Sequence, residues 1–404
     1  MYLYTSAFCR ISCKVVGKVV EFKLNSEQQM IQDSIRRMVE RDIEPILQSH
    51  DRDTPLPKAA MQKIFKLCAD QGLTSARIPE EAGGAGLSAL TLGLMHEQLP
   101  PAIALAVIAH EGTGARIYLS SSPEQRERII PDIISAKKIA CTGNTEPDVG
   151  SDPRSVKTRA TEDGDGYIVN GRKMWITNAS ICDLINVTCS MGTDDKGLSK
   201  LIRVVVEREQ SPFVANEIDM LGLRQGHLSE VLFENCRVPK ANLLGEPGDA
   251  ARILTLTWLA NRPIFGLFAV HLAQKALDAA LLYAGDRAQF GRKIGGFQLI
   301  QEMLADISAA VTSSRLLCYY ALNCIDNGDR ANHASAMAKR FAVNTCQRAI
   351  SLAMEVHGAM GLSREMGLEQ LYRDARMITV PDGTNQILTL IEGRELTGVA
   401  AYRS

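Results

Sequence analysis

The spacing of apolar residues changes twice along the chain, and this change limits the possible folds more than any other feature. From residue 25 to about 138 the spacing is helical, and Ser26 with Gln29 fits a capping box. From about 139 to 244, short alternating runs are separated by Asp-Gly and Asn-Gly dipeptides, as in strands joined by turns. Helical spacing then returns to the end. The sequence predicts an extension at 1–20, a helical domain at 21–138, a β domain at 139–244 and a helical domain at 245–404.

The middle and last blocks each favour one architecture. Short strands with frequent turns indicate a β-sandwich or barrel, and we predict a tight hairpin at Asn170 and Gly171. The stretch "EDGDG" lacks the ligand spacing of a calcium loop and is interpreted as hairpin turns. Long helices with short connections predict an antiparallel four-helix bundle after residue 245.

Composition excludes several classes of function. The 404 residues have a net charge of -1 and no long basic block, which disfavours nucleic-acid binding. Apolar runs such as Ile103 to Ile108 are far shorter than the roughly 20 residues of a membrane span. The ten cysteines form no CxxC pair, so we expect reduced thiols, no metal site and a cytoplasmic location.

The first twenty residues leave the location open. They contain Arg10, Lys14 and Lys18 but no acidic residue, as in an organellar transit peptide. An upstream start site or a frayed terminus gives the same pattern. A mitochondrial matrix location therefore stays an alternative to the cytoplasm.

Four separated segments carry a specific pattern. Two lie in the β block and two in the last helical block: "GNTEPDVGSD" from Gly143, "GRKMWITN" from Gly171, "YAGDRAQFGRKIGGFQLIQ" from Tyr283 and "YRDARMITVPDGTNQI" from Tyr372. Strands with Thr145, Ser151, Trp175 and Thr177 present hydroxyls, amides and an aromatic face, which suit a flat ring. An alternative is that Trp175 fills the core of the β domain.

Together and in this order, the four segments resemble the acyl-CoA dehydrogenase family from about residue 21 to 398. The resemblance implies an FAD enzyme that acts on an acyl-CoA, or on an acyl group held by a carrier protein. A carboxylate removes the α-proton and the flavin accepts a hydride from the β-carbon. It also implies transfer of electrons to an electron-transferring flavoprotein, and a homotetramer or homodimer.

The resemblance assigns roles to matching positions. Those implied at the FAD site are Thr145, Trp175, Ile176, Thr177, Arg287, Gln298, Glu355, Gly358, Thr384 and Gln386. Those implied near the thioester are Ser151, Arg262 and Gly383. Arg287 matches an arginine that binds the FAD pyrophosphate, commonly across a subunit interface, and its planar fork suits phosphate. Glu355 stands where the family often has Gln.

Asp382 is the candidate base. Many family members have Glu at this position, and other branches place Glu on a helix at the position of Asn261. Asn261 cannot accept a proton, which leaves Asp382. Its side chain is about 1.5 Å shorter than that of Glu, and a 1 Å misplacement can reduce a rate about a hundredfold. Burial beside a flavin and an acyl chain would make it a better base.

Other interpretations stay open at this point. Asp382 precedes Gly-Thr and an apolar helical run, so it also fits a helix N-cap worth ~1 kcal/mol. Related nitroalkane oxidases use an aspartate base and pass electrons to oxygen. A flavin-free homologue that kept the fold is a third possibility.

Overall fold

The computed structural model of the chain describes residues 23–193, 199–246 and 248–401. The predicted extension at 1–20 lies outside the described residues. The described chain begins with helices, continues with strands and ends with helices, so the predicted order of helical, β and helical domains is confirmed. One continuous core runs through all three parts, from Ile35 through Val169 to Phe268.

The first part contains six α-helices. They are α1 (Ser26–Met38), α2 (Glu44–Gln48), α3 (Lys58–Asp70), α4 (Ala89–Gln98), α5 (Pro101–Ser120) and α6 (Pro123–Ile134). A π-helical turn at Val39–Ile43 joins α1 to α2. The capping box of α1 is formed by Asn25 and Gln28, so the predicted pair of Ser26 and Gln29 is wrong by one residue. Asn25 is the stronger cap because its side chain lies just before the first helical residue and accepts from the Gln28 N–H at 2.8 Å.

The middle part is a single hydrogen-bonded sheet. Its strands are β1 (Ala140–Gly143), β2 (Arg159–Asp163), β3 (Gly166–Thr177), β4 (Leu184–Thr193), β5 (Ser199–Glu207), β6 (Val214–Glu217), β7 (Leu228–Pro239) and β8 (Leu243–Leu244). Seven of them follow the order β6-β7-β3-β2-β4-β5-β8, and β1 pairs in parallel with β4.

The predicted hairpin at Asn170 and Gly171 is wrong. These residues lie inside β3, where the register shifts in a bulge, and Asn170 accepts a hydrogen bond from the Asn235 N–H at 2.7 Å. Gly171 allows Thr158 to approach, since a Cβ there would lie 2.6 Å from the Thr158 hydroxyl. The hairpin between β2 and β3 turns instead within "EDGDG", where Asp163 pairs with Gly166.

The last part contains six helices and a short hairpin. They are α7 (Ala250–Leu256), α8 (Trp258–Asp286), β9 (Ala288–Gln289), β10 (Arg292–Lys293), α9 (Gln298–Asp326), α10 (Asn332–His357), α11 (Leu368–Ile378) and α12 (Asn385–Thr397). Helices α8, α9 and α10 pack on one another. Among the described residues, the stretch Ile253–Asp286 alone is long and apolar enough to cross a membrane, but 82% of its apolar window is buried inside the protein. This is the property of a core helix.

Candidate active site

Asp382 lies in the turn between α11 and α12, in an unusual backbone conformation. Its φ is 53°, in the left-handed region that few residues other than Gly, Asn and Asp adopt. Thr384, not Asp382, is the N-cap of α12, because the Thr384 hydroxyl accepts the Ile387 N–H at 3.4 Å. The capping role considered for Asp382 is therefore wrong, and its carboxylate is not used by the helix.

Two consecutive residues of α8 hold Asp382. The Asn261 side chain donates from Nδ2 to Asp382 Oδ2 at 2.8 Å, and Arg262 Nε donates to the Asp382 carbonyl at 3.1 Å. Asn261 is buried, and its Oδ1 has no hydrogen-bond partner. The two candidate positions for the base, 261 and 382, are thus in direct contact.

Lys339 on α10 holds the same turn from the other side. Its ammonium donates to the carbonyls of Pro381 and Gly383, the second at 2.7 Å, and its side chain is fully buried. Together with Arg262, it engages three successive carbonyls, at 381, 382 and 383. Burial lowers the pKa of Lys339 to about 7, while the charge of Asp382 raises it and that of Arg262 lowers it further. Lys339 was not predicted from the sequence.

The segment expected at the flavin ring is built from β1, β3 and the loop after β1. The Met174 N–H donates to the Thr145 carbonyl at 2.9 Å, which brings the loop and β3 side by side. The loop is fixed by Glu146, which pairs with the buried Lys173 at 2.8 Å and accepts the N–H groups of Lys157 and Thr158.

Trp175 turns outward at this edge. Its φ is 62° and its side chain is 47% exposed, so the alternative that it fills the core of the β domain is wrong. Ile176, beside it, is buried and packs in the core. Thr145 and Thr177 are half-buried, and Ser151 is exposed farther along the loop.

A cleft of about 290 Å³ opens next to Thr177. Leu105 of α5, Met377 of α11 and Leu228 of β7 line it with apolar side chains. His227 lies at its rim, where Nδ1 contacts Glu217 Oε1 at 2.6 Å and Nε2 contacts the Leu56 carbonyl at 2.8 Å. Both ring nitrogens therefore contact oxygen atoms of the protein.

The residues expected at the nucleotide end of FAD lie on the surface. Arg287 follows α8, Gln298 begins α9, and Glu355 and Gly358 lie at the end of α10. All four are exposed, as is Gln386 on α12. Within the described part of the chain, the side chains of Arg287, Gln298 and Glu355 have no hydrogen-bond or salt-bridge partner. The described residues of a single chain therefore leave these side chains free to bind a ligand at the nucleotide end of the expected FAD site.

Three family models match the chain in succession. The N-terminal, middle and C-terminal domains of acyl-CoA dehydrogenases match residues 25–137, 141–236 and 252–397. The chain belongs to the acyl-CoA dehydrogenase family.

Relatives of this dehydrogenase match over nearly their whole length. This chain is 36% identical to cyclohex-1-ene-1-carbonyl-CoA dehydrogenase of Geobacter metallireducens, in a match that covers 92% of this chain and 98% of the relative. It is 32% identical to the probable acyl-CoA dehydrogenase YngJ of Bacillus subtilis, covering 93% of this chain and all of the relative. The structure of butyryl-CoA dehydrogenase from Megasphaera elsdenii superimposes with a TM-score of 0.86 at 27% identity, covering 93% of this chain and 99% of that one.

The dehydrogenase is an FAD-dependent oxidoreductase, as its family is. The described residues fit this cofactor. The exposed Trp175 offers an aromatic face, Thr145 and Thr177 offer hydroxyls beside it, and the unpaired Arg287 offers a planar fork of donors that suits a pyrophosphate.

Proposed function

We propose that this dehydrogenase oxidises the α,β-bond of an acyl-CoA or acyl-carrier thioester, with Asp382 as the base that removes the α-proton. The observation that carries this proposal is the hydrogen bond between Asn261 and the Asp382 carboxylate. It joins the two positions at which the family places its acid, and only one of them has a carboxylate here. The capping alternative is excluded because Thr384 caps α12.

The turn compensates for the short side chain of Asp382. A base must lie within hydrogen-bond reach of the proton it removes, and an aspartate reaches about 1.5 Å less than a glutamate. The left-handed φ of Asp382 and the three held carbonyls fix where its Cβ points, so the backbone sets the position that a longer side chain would otherwise supply.

During the reaction, Asp382 takes the α-proton and becomes a carboxylic acid, while Asn261 keeps its Oδ2 in place. FAD, when bound, accepts the hydride from the β-carbon. Gly383 and Ser151 are proposed to contact the thioester, and Arg262 to act there through the Asp382 carbonyl that it holds. Thr145, Trp175, Thr177 and the main chain of Ile176 are proposed to hold the ring.

We propose that a second copy of the chain completes the nucleotide end of the FAD site, in a homodimer or homotetramer. Arg287, Gln298, Glu355 and Gly358 would act there, with Thr384 and Gln386 along the cofactor. Apolar side chains are exposed on the same elements: Leu281, Leu282, Phe290 and Leu299, of which Phe290 is 94% exposed. Such a surface is typical of an association site.

The electron acceptor separates the leading proposal from its alternative. We propose an electron-transferring flavoprotein, whereas an enzyme of the nitroalkane oxidase type would use oxygen with the same aspartate base. Rapid oxygen uptake with a nitroalkane, and none with any acyl-CoA, would favour the oxidase.

A reducing compartment such as the cytoplasm suits the eight described cysteines, which are all free and buried.

The test is anaerobic flavin bleaching by a panel of acyl-CoAs. Wild type is expected to bleach, and Asp382→Asn to slow bleaching by at least about a thousandfold while retaining FAD, because an amide cannot take the proton. Asp278→Asn is the matched control, since Asp278 is an exposed aspartate on α8. Unchanged bleaching in Asp382→Asn would remove Asp382 as the base.

A further inference from the structure

Thr257 lies at the junction where α7 ends and α8 begins, and two arginines from the first helical domain hold it there. It is the residue just before α8, but its hydroxyl does not cap that helix. The hydroxyl accepts a hydrogen bond from Arg116 Nη2 instead, and the Thr257 carbonyl accepts one from Arg77 Nη1 at 3.3 Å. The side chain of Thr257 is buried. We call these three residues the α8 clamp.

Helix α5 fixes where the two guanidiniums lie. Glu111 of α5 is fully buried, accepts the Arg77 main-chain N–H at 3.0 Å, and pairs with the Arg77 guanidinium through both carboxylate oxygens. The next residue is Gly112, where a Cβ would be 3.2 Å from Arg77 Nη2 and 3.7 Å from Arg116 Nη1. The absence of a side chain at Gly112 therefore leaves room for both guanidiniums beside Thr257.

A short chain of hydrogen bonds connects Thr257 to the proposed base. The carbonyl that Arg77 binds also accepts the Asn261 N–H at 3.0 Å, one helical turn later. The Asn261 side chain in turn donates to Asp382 Oδ2 at 2.8 Å. The first helical turn of α8 thus ties the position of Asn261 to that of Thr257, and Asn261 ties Asp382 to both.

Arg116 also reaches the segment expected at the flavin ring. Its Nη1 donates to the Thr142 hydroxyl at 3.4 Å, and Thr142 lies on β1, just before the loop of Thr145. Thr113 of α5 contacts the same hydroxyl at 2.8 Å. Burial lowers the pKa of Arg116 to about 10, and the strongest charge acting against this effect is that of Asp382, which raises it. One guanidinium therefore links α8, which holds the base, to β1, which leads to the flavin loop.

A contribution to stability alone does not explain why Arg116 is buried. It is only 6% exposed, its side-chain partners are hydroxyls, and its Nε has no hydrogen-bond partner among the described residues. Burying a guanidinium is costly unless an opposite charge pairs with it. Glu111 does not do so, because Arg77 engages it. We therefore expect Arg116 to fix geometry more than to stabilise the fold.

We propose that the α8 clamp is a group of positioning residues that sets the place of Asn261 and, through it, the place of the base Asp382 relative to the flavin. This inference rests on the proposed function. The clamp takes no proton itself. It holds the first turn of α8 so that the carboxylate lies in position before the substrate binds. Because misplacing a reacting group by about 1 Å can reduce a rate about a hundredfold, a loosened clamp should slow the reaction while every reacting group is still present.

The first test removes one hydroxyl from the clamp in the holoenzyme. Thr257→Val keeps the size of the side chain but cannot accept the hydrogen bond from Arg116, whereas Thr257→Ser keeps the hydroxyl. We expect Thr257→Val to lower the rate of flavin reduction about tenfold, the size of one hydrogen bond to a charged group, and Thr257→Ser to stay within about threefold of wild type. Stopped-flow bleaching measures the rate, with the acyl-CoA of the panel that bleaches wild type fastest. An unchanged rate in Thr257→Val would overturn the proposal.

A matched control separates position from stability. Arg315 of α9 pairs with the buried Glu97 of α4 at 2.6 Å, so this pair also joins the first and last helical domains. Arg315→Met should lower the midpoint of thermal unfolding at least as much as Thr257→Val does, because it leaves a buried carboxylate without its cation. Its rate of flavin reduction should stay normal below that midpoint. Rates that fall in both variants in proportion to their loss of stability would overturn the proposal.

A double-mutant cycle gives a readout that a change in stability alone does not move. If the clamp acts through Asn261, removing the Asn261 side chain should remove most of the effect of the clamp on Asp382. Arg116→Met should therefore lower the rate of flavin reduction about tenfold in wild type and about twofold or less in Asn261→Leu, because residues that act in one network are not additive. Equal fold-changes in the two backgrounds would overturn the proposal.

The two proposals fail in different ways. If no acyl-CoA of the panel bleaches the flavin of wild type, the proposed dehydrogenation fails and the clamp fails with it. If wild type bleaches, Asp382→Asn is slow and Thr257→Val is as fast as wild type, the dehydrogenation stays intact and only the clamp is refuted.

Discussion

The turn from Pro381 to Gly383 around Asp382 and the β9-β10 hairpin that begins after Arg287 are held in opposite ways. At the turn, buried side chains from α8 and α10 bind three successive carbonyls and the carboxylate. At the hairpin, only main-chain hydrogen bonds hold Arg287 in the part of the chain that the structure describes: its N–H donates to the Tyr283 carbonyl, and its carbonyl accepts the Ile294 N–H, both at 2.8 Å.

The difference separates two kinds of function. A base must be in position before the substrate arrives, because misplacement reduces the rate directly. A group that binds a cofactor phosphate is ordered by the phosphate itself, and its loss reduces affinity instead. We therefore expect changes at the turn to alter the rate of flavin reduction and changes at the hairpin to alter FAD retention.

Among the changes that test this comparison, the largest effect is expected from Lys339→Met. This change removes the hydrogen bonds to the carbonyls of Pro381 and Gly383, so the turn should relax and the rate of flavin reduction should fall roughly a hundredfold. Stopped-flow bleaching of FAD-saturated enzyme measures it. Arg340→Met is the matched control, since Arg340 follows on α10 and pairs with Glu392 instead. A normal rate in Lys339→Met would show that the turn keeps its conformation without the hydrogen bonds from Lys339.

Lys339 also gives a pH dependence of stability with a definite sign. Its pKa is about 7 in the folded protein and about 10.4 in an unfolded chain. Between these values the unfolded state binds more protons, so the free energy of unfolding of wild type should rise with pH from about 7 to about 10. Lys339→Met should lack this rise in chemical denaturation at several pH values.

An intermediate effect is expected from Asn261→Leu, which removes the donor to Asp382 at nearly constant volume. The rate of flavin reduction should fall roughly thirtyfold, because the hydrogen bond that holds Asp382 Oδ2 is lost. Stopped-flow bleaching of FAD-saturated enzyme measures it. A residue that only fills space would leave the rate unchanged.

The smallest effect is expected from Arg287→Ala. The dissociation constant of FAD should rise about tenfold through the loss of one charge-assisted contact, while the reduction rate of FAD-saturated enzyme should stay normal. Equilibrium dialysis and stopped-flow bleaching measure the two quantities. A slowed reduction with unchanged FAD affinity would remove the distinction between the turn and the hairpin.

The order of the motifs predicted which segments meet, but not how side chains hold them. The assignment of Thr145 and Trp175 to one site, and of Asn261 and Asp382 to the two candidate positions of one base, follows from the resemblance of the segments to the family. The hairpin at Asn170 was wrong because a bulge uses the same residues as a tight turn, and the cap at Asp382 was wrong by two residues because Thr384 also fits. The exact domain boundaries stay predictions.

Lys339 was missed although the sequence carried a signal for it. It lies four residues after Ser335 and seven before Cys346, both of them buried, so it falls on the inward face of α10. A charged residue on such a face needs a partner. The partner could not be named, because it lies 42 and 44 residues away in a turn whose conformation only the fold fixes.

The hydrogen bond between Asn261 and Asp382 has a consequence for folding. It joins residues 121 positions apart, and the bond between Arg116 and Thr257 spans 141. Closing such long loops costs conformational entropy that local helix and hairpin contacts do not require. Partial unfolding that separates α8 from the turn would abolish activity while much of the helix and sheet persists. Flavin reduction is therefore a more sensitive measure of the intact native state than circular dichroism.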